Sequence, residues 1–328
     1  MATPVVNASK GYDLSGGALR ESLQDMIFDV SPMDTYFISN IQRTTATSVT
    51  HEWLVDALAA VAANKFAEGE PFSAMARGLP SRLKNSTMIT RRDFAVTGTA
   101  QKVNNAGMRT LLAYHTARAA KENKRDMEYH NIGVTNPHSA GTSTSPRVSA
   151  GVPNWIYSGQ HYKHSAFTTQ TTTAPVSGYA TATGAAWGTS ATAFTSADLD
   201  GMLQLAWSTG GEVDVILADS IAFARFSGFT GVASRFNQVN AGKPGTITGY
   251  SDVYVSQYGG AIKMVLSRYC MANTAYALQL DKWALAFLRP FDVLDSGRDG
   301  DQERRTLLAE WTLEARNPNA NAKAHGVA

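Results

Sequence analysis

His51-Glu52 is the first pair with the chemistry of a metal or proton-transfer site. A zinc-hydrolase helix needs a second histidine four residues after the first, and that position is Val55. His161 and His164 are three apart, but they lie in a segment that reads as loop, with no cysteine or carboxylate nearby to complete a ligand set. Asp292, Asp295, Asp299 and Asp301 surround Gly297 and Gly300 in a spacing that misses the calcium-loop pattern, so they read as turn residues. The carboxylate pairs Glu52 with Asp56 and Glu68 with Glu70 are expected to face solvent, where nothing raises one pKa to make a general acid. Cys270, the only cysteine, sits in the strand-like run Leu266-Ser267-Arg268-Tyr269-Cys270-Met271 and reads as a small core residue. A single cysteine excludes an intrachain disulfide and any multi-cysteine metal site. Nucleophile-elbow, Walker and dinucleotide motifs do not occur, and Gly210-Gly211 closes a helix instead of opening one on a phosphate. The sequence therefore assigns no catalytic residue, no cofactor and no metal ligand, and points away from an enzyme.

Composition is consistent with a folded chain. Of 328 residues, 44% are hydrophobic and 17% charged, so there is ample material for a core, and a formal net charge of +2 gives no footprint for tight nucleic-acid binding. The N-terminus lacks a secretory pattern, and no apolar run reaches the roughly eighteen residues of a membrane span.

The elements that would position any site come next. Residues 1 to about 46 are polar, with one short helix candidate near Leu19 to Phe28, and read as an arm. Alternation over Val49 to Asp56 puts Val49, His51, Trp53 and Val55 on one strand face. A second strand is expected near Met88 to Thr99, and the polar stretch between them is too long for a hairpin turn, which makes an extended β-loop. An extended Val96-Thr97-Gly98-Thr99-Ala100-Gln101 segment leads through Gly107 into a long charged helix, 108–132, whose broken apolar stripe suits a strut half packed on a sheet. Residues 135–197 are rich in Ser, Thr, Ala and Gly and read as an exposed insertion contributing little core. A helix from Ser196, a strand over Val213 to Ala218, a helix from Ser220 to Phe226, a Gly/Asn-rich loop from Gly228 to Gly249 and a strand over Asp252 to Ser256 form an α/β unit. The remainder is mostly β, with Trp283 to Leu288 buried on both faces and a charged turn over Gly297 to Arg304. The last strand sets Leu307, Ala309, Trp311, Leu313 and Ala315 against Glu310, Thr312 and Glu314.

The order of these segments resembles a family. The polar arm, Glu52-Trp53-Leu54-Val55-Asp56, Glu68-Gly69, Val96-Thr97-Gly98-Thr99, Gly107, Lys124-Arg125-Asp126-Met127-Glu128, the α/β unit, Leu288-Arg289-Pro290 and the run Glu310 to Asn317 together are similar to the major capsid proteins of tailed bacteriophages with the Hong Kong 97-like fold. The resemblance implies an α+β fold laid out as an N-terminal arm (1–47), an extended loop (48–100) and a peripheral domain (101–194) with spine helix 108–132 and a Ser/Thr-rich insertion at 135–194. An axial domain (195–260) and return strands of the peripheral domain (261–328) would follow. It implies self-assembly into hexamers and pentamers of an icosahedral head around double-stranded DNA. Portal, scaffolding or decoration proteins and non-specific contact with packaged DNA would be the other partners, with no membrane involved. Host cytoplasm during assembly and then the virion would be its locations. Candidate intersubunit contacts are Glu68, Glu70, Arg77, Arg82, Lys124, Arg125, Asp126 and Glu128. The rival readings are a tail-tube or decoration protein, which should lack the strut helix, and a soluble α/β enzyme.

Overall fold

The computed structural model describes residues 34–59, 61–71, 78–103, 110–157, 161–162, 175–180, 194–227, 229, 253–258 and 260–325. The helix candidate near Leu19 to Phe28, Gly107, Met108, Arg77, His164 and most of the Gly228 to Gly249 loop lie outside these residues.

The chain enters through helix α1 (Tyr36–Asn40) and strand β1 (Gln42–Thr45). Helix α1 belongs to the core, while β1 is a largely exposed edge strand of a sheet. Phe37, Ile38 and Ile41 are buried, Phe37 stands edge-on to Trp283 with centroids 6.0 Å apart, and β1 pairs in parallel with β10 (Trp283–Asp299). Residues 34–46 are thus not part of a free arm. A polar run can still be structural when its few apolar residues, here Phe37, Ile38 and Ile41, all reach one cluster.

Strand β2 (Thr50–Val55) shows the expected alternation, with Glu52 and Leu54 exposed and His51, Trp53 and Val55 inward. Its partner is β3 (Ser81–Ser86), in antiparallel register Thr50↔Ser86 to Val55↔Ser81. The expected partner, β4 (Met88–Thr97), instead runs antiparallel to β11 (Gln302–Ala315). The extended loop is therefore a β2–β3 ribbon beside a strand of another sheet. Thr97 caps helix α2 (Gly98–Lys102), accepting from the Ala100 N–H, so the segment read as extended turns helical after Thr97.

Helix α3 (Leu111–Ile132) is the strut, about 33 Å long at 1.5 Å per residue. It starts later than the expected 108 because Thr110 is extended. Its buried residues are Leu112, Ala119, Asn123, Met127, Glu128, Asn131 and Ile132. Polar residues among them explain why its apolar pattern looked broken. Residues 147–157 then correct the expectation of an exposed insertion: Ala150, Val152, Trp155 and Ile156 are buried in the first core, with helix α4 (Val152–Trp155) among them.

Two sheets organise the rest. One has the order β1-β10-β11-β4. The other has the order β5-β12-β9-β6-β8-β7, from β5 (His161–Tyr162), β6 (Val215–Ala218), β7 (Val253–Ser256), β8 (Gly260–Leu266), β9 (Thr274–Leu278) and β12 (Ala322–His325). Helix α5 (Ser196–Ser208) starts with a capping box, Thr195 and Asp198 each bonding the other's backbone, and packs on this sheet with α6 (Ser220–Ser227). A boundary at residue 260 would cut this sheet, since β8, β9 and β12 complete it. Only β10 and β11 return to the first sheet. Strand β10 carries on to Asp299 and β11 begins at Gln302, so the expected turn over Gly297 to Arg304 contracts to Gly300-Asp301, with Gly300 at φ +67°.

Both faces of β6 and β9 are covered. Val215, Leu217, Tyr276 and Leu278 join the first core, while Ile216, Ala218, Ala275 and Ala277 join the second. Cys270 packs against the first core from a turn, not a strand, and burial pushes its thiol pKa up.

Candidate assembly interface

The residues singled out from the sequence divide into two groups. Several are engaged within the subunit. Glu128, on α3, is fully buried and accepts the Phe37 and Ile38 N–H groups at 2.8 Å, one on each oxygen. Burial pushes its carboxyl up to about 7, against the pull of these two bonds and of Lys124. It fastens α1 to the strut, and both its oxygens are engaged within the subunit. Asp126 binds Arg92 of β4, whose Nε lies 2.9 Å from it. Lys124 donates to Ser39 at 2.9 Å, and Arg82 pairs with Glu52 across the β2–β3 ribbon at 3.0 Å. Arg125 is half-buried and acts on the Tyr269 phenol.

Glu68 and Glu70 are different. Both are exposed at the turn around Gly69, where Glu70 accepts the Ala67 N–H at 3.0 Å. The same loop displays Leu58 at 98% exposure, Leu79 at 90%, and Val61 and Phe66 largely bare. It has no regular secondary structure over its described residues between β2 and β3. These large apolar side chains stand exposed together on one loop.

A second exposed surface lies on the first sheet. The Arg92 bond to α3 turns Thr90, Arg92 and Phe94 toward the helix, leaving Ile89, Arg91, Asp93 and Ala95 on the outer face of β4. Leu294 is exposed on β10, and Leu308 is registered opposite Arg91.

The loop base is held by a buried polar layer that sequence reasoning missed. Asn85 donates to the Leu313 carbonyl at 2.8 Å and to Ser149 at 3.1 Å, while accepting the Ala150 N–H at 2.9 Å. Glu310, nearly fully buried, accepts from Thr87 (2.8 Å), Arg147 (2.6 Å) and Arg289 (2.8 Å). Glu314 accepts from Thr44 at 3.1 Å and Arg316 at 3.0 Å, with the His51 ring 3.2 Å away. Burial raises its pKa, but the His51, Arg316 and Thr44 bonds prevail and bring it to about 2. The faint signal in the sequence was the pair Glu310 and Glu314 on a strand whose neighbours are apolar.

This arrangement holds the base of the loop. Among the described residues no group of three His, Cys, Asp or Glu side chains is placed to hold a metal ion. No described helix is long and apolar enough to cross a membrane.

Comparison with known proteins agrees over nearly the whole chain. A family model described as SU10 major capsid protein matches residues 5–328. A major capsid protein of Escherichia phage Phieco32 is 24% identical over 348 residues, covering 98% of this chain and 97% of that protein. Among solved structures, the Cyanophage A-1(L) capsid subunit superposes with TM-score 0.65 at 13% identity, covering 96% of this chain and 98% of that one. The capsid of a native GTA particle gives 0.62 at 13% identity, covering 98% and 100%. At such identities the structural likeness speaks for the fold, which is that of phage capsid subunits, while the family match covers the sequence itself. The chain belongs to the SU10 major capsid protein family and is a structural protein of a tailed-phage shell.

Proposed function

We propose that the extended loop of one subunit closes over the outer face of the first sheet in a neighbouring copy, and that this contact links subunits into hexamers and pentamers of an icosahedral head. The observation that carries the reading is the bare apolar set Leu58, Val61, Phe66 and Leu79 on a loop with little packing of its own. Full burial of four such side chains is worth roughly 6–12 kcal/mol before the costs of association. Ile89, Leu294 and Leu308 offer an apolar floor. Heterologous contacts of this kind close into rings, and repetition makes modest contacts sufficient.

On this reading the first sheet with α3 is the peripheral domain and the second sheet with α5 and α6 is the axial domain. The shell forms in the host cytoplasm, encloses double-stranded DNA through non-specific contact, and takes portal, scaffolding or decoration proteins as further partners. A net charge of +2 suits a wall that contacts DNA without tight or sequence-specific binding. The test is a Leu58→Asp, Val61→Asp double variant. Circular dichroism and melting of the subunit should be unchanged, because neither side chain is buried, while electron microscopy should show no shells. Shells of normal size and yield would remove the loop from the interface.

A further inference from the structure

A short turn in the Ser/Thr-rich stretch touches the extended loop at its base. Val176 and Tyr179 exchange two backbone hydrogen bonds of 3.0 Å around Ser177 (φ 52°) and Gly178 (φ +86°), so the two central residues both take the left-handed conformation of a tight turn. This turn seats on β3. The Gly178 carbonyl accepts the Lys84 N–H at 2.8 Å, and Tyr179 forms a parallel bridge with Lys84. The fit at Gly178 leaves no room for a side chain: a Cβ there would stand 2.3 Å from the Arg82 carbonyl oxygen.

The other side of the turn is fixed to the body. Tyr179 stacks on His138 with centroids 3.8 Å apart and planes 21° from parallel, and the Lys84 ammonium sits 5.7 Å from the Tyr179 ring centre. The His138 ring lies 2.8 Å from the Ser86 hydroxyl, and the His138 backbone N–H donates to the carbonyl of Ala180, itself buried in the first core. The turn therefore bridges the loop ribbon and the segment that follows the strut. Without it, the edge of β3 away from β2 would lose the backbone bond that the Lys84 N–H makes there.

We propose that the Val176–Tyr179 turn is a positioning clamp that sets the direction in which the extended loop leaves the subunit, and so decides whether neighbouring loops meet in register. The proposal rests on the reading of the loop as the intersubunit contact. A long loop magnifies a small tilt at its base, so the clamp affects shell geometry far more than subunit stability.

The test uses the full-length chain carrying Gly178→Val, with Tyr179→Ala as a second variant that removes the stack but retains the turn glycine. Hydrogen exchange of the peptide covering β3 should quicken about tenfold in Gly178→Val, the change for loss of about one net hydrogen bond. Exchange over β10 and β11 near Trp283 and Trp311 should be unchanged. Microscopy should show particles of mixed size or open sheets, with a milder form in Tyr179→Ala. Unchanged β3 exchange in both variants overturns the clamp, as do normal, uniform shells from variants whose β3 exchange has quickened. If Gly178→Val fails to fold, Tyr179→Ala alone decides by the same two readouts. The Leu58→Asp, Val61→Asp variant separates the two ideas: it should abolish shells while leaving β3 exchange slow. Normal shells from it would sink the loop contact and the clamp's role in register, while slow β3 exchange in the parent against fast exchange in Gly178→Val would still show that the turn holds the ribbon.

Discussion

Buried ionisable residues set the chemistry of this subunit. Glu128 and Lys323 are both almost fully buried, and Lys323 donates to the Pro153 carbonyl at 2.6 Å, tying the second sheet to α4. Burial moves the Lys323 ammonium down to about 7 from 10.5, as it moves Glu128 up to about 7 from 4.5. For Glu128 the folded state holds its proton more tightly than the unfolded chain, so its contribution to stability is present below 4.5 and lost as pH rises toward 7. For Lys323 the contribution is present above 10.5 and lost as pH falls toward 7. The two therefore place a trough of stability near neutrality. Replacing Lys323 with Met should flatten the rise in melting temperature between pH 7 and 10 relative to the parent, and Glu128→Gln should flatten the fall between pH 5 and 7. Melting curves across that range check both, and parallel profiles for parent and variants would show that neither group titrates as its burial requires.

Among the elements, α1 and β1 make the largest departure from the expectation of an arm. A free arm could be cut away without harm, whereas Phe37 lies against Trp283 and β1 adds a strand to the first sheet. Phe37→Ala should cost about 3–5 kcal/mol, the range for emptying a packed aromatic site. Urea unfolding of the unassembled subunit measures it, and a loss under about 1 kcal/mol would return this segment to the arm. The distal half of β10 is the opposite case. Register shifts between Phe287 and Arg289, Arg289 and Asp292, and Asp295 and Arg298 bend the strand as it leaves the core, and its apolar residues Phe291, Val293 and Leu294 are left exposed.

For the whole molecule, the decisive feature is that one sheet separates two cores. On β6, Leu217 belongs to the first and Ile216 to the second, one residue apart on opposite faces. Neither core can lose its packing without stripping a face of the same strands. Leu217→Ala and Ile216→Ala should each cost about 2–5 kcal/mol and move a single, common unfolding transition of the unassembled subunit. Calorimetry resolving two transitions, each shifted by only one variant, would mean that the halves unfold independently.

Local pattern was enough for much of the fold. The alternation of β2 and β11, the apolar run at Trp283 to Leu288, the capped start of α5 and the strut helix all follow from side-chain period and capping chemistry within a dozen residues. Their order sufficed for the resemblance to phage capsid proteins. Strands β3 and β12 were invisible because Ser81-Arg82-Leu83-Lys84-Asn85-Ser86 and Ala322-Lys323-Ala324-His325 carry almost no apolar period. Only tertiary structure could place the polar residues. Glu128 is distinguished from Asp126 by bonds to residues about ninety positions away, and Asn85 by one to Leu313. A charge reads as solvated unless its partner is known, and such partners are chosen by the packing of distant segments, which no local spacing records.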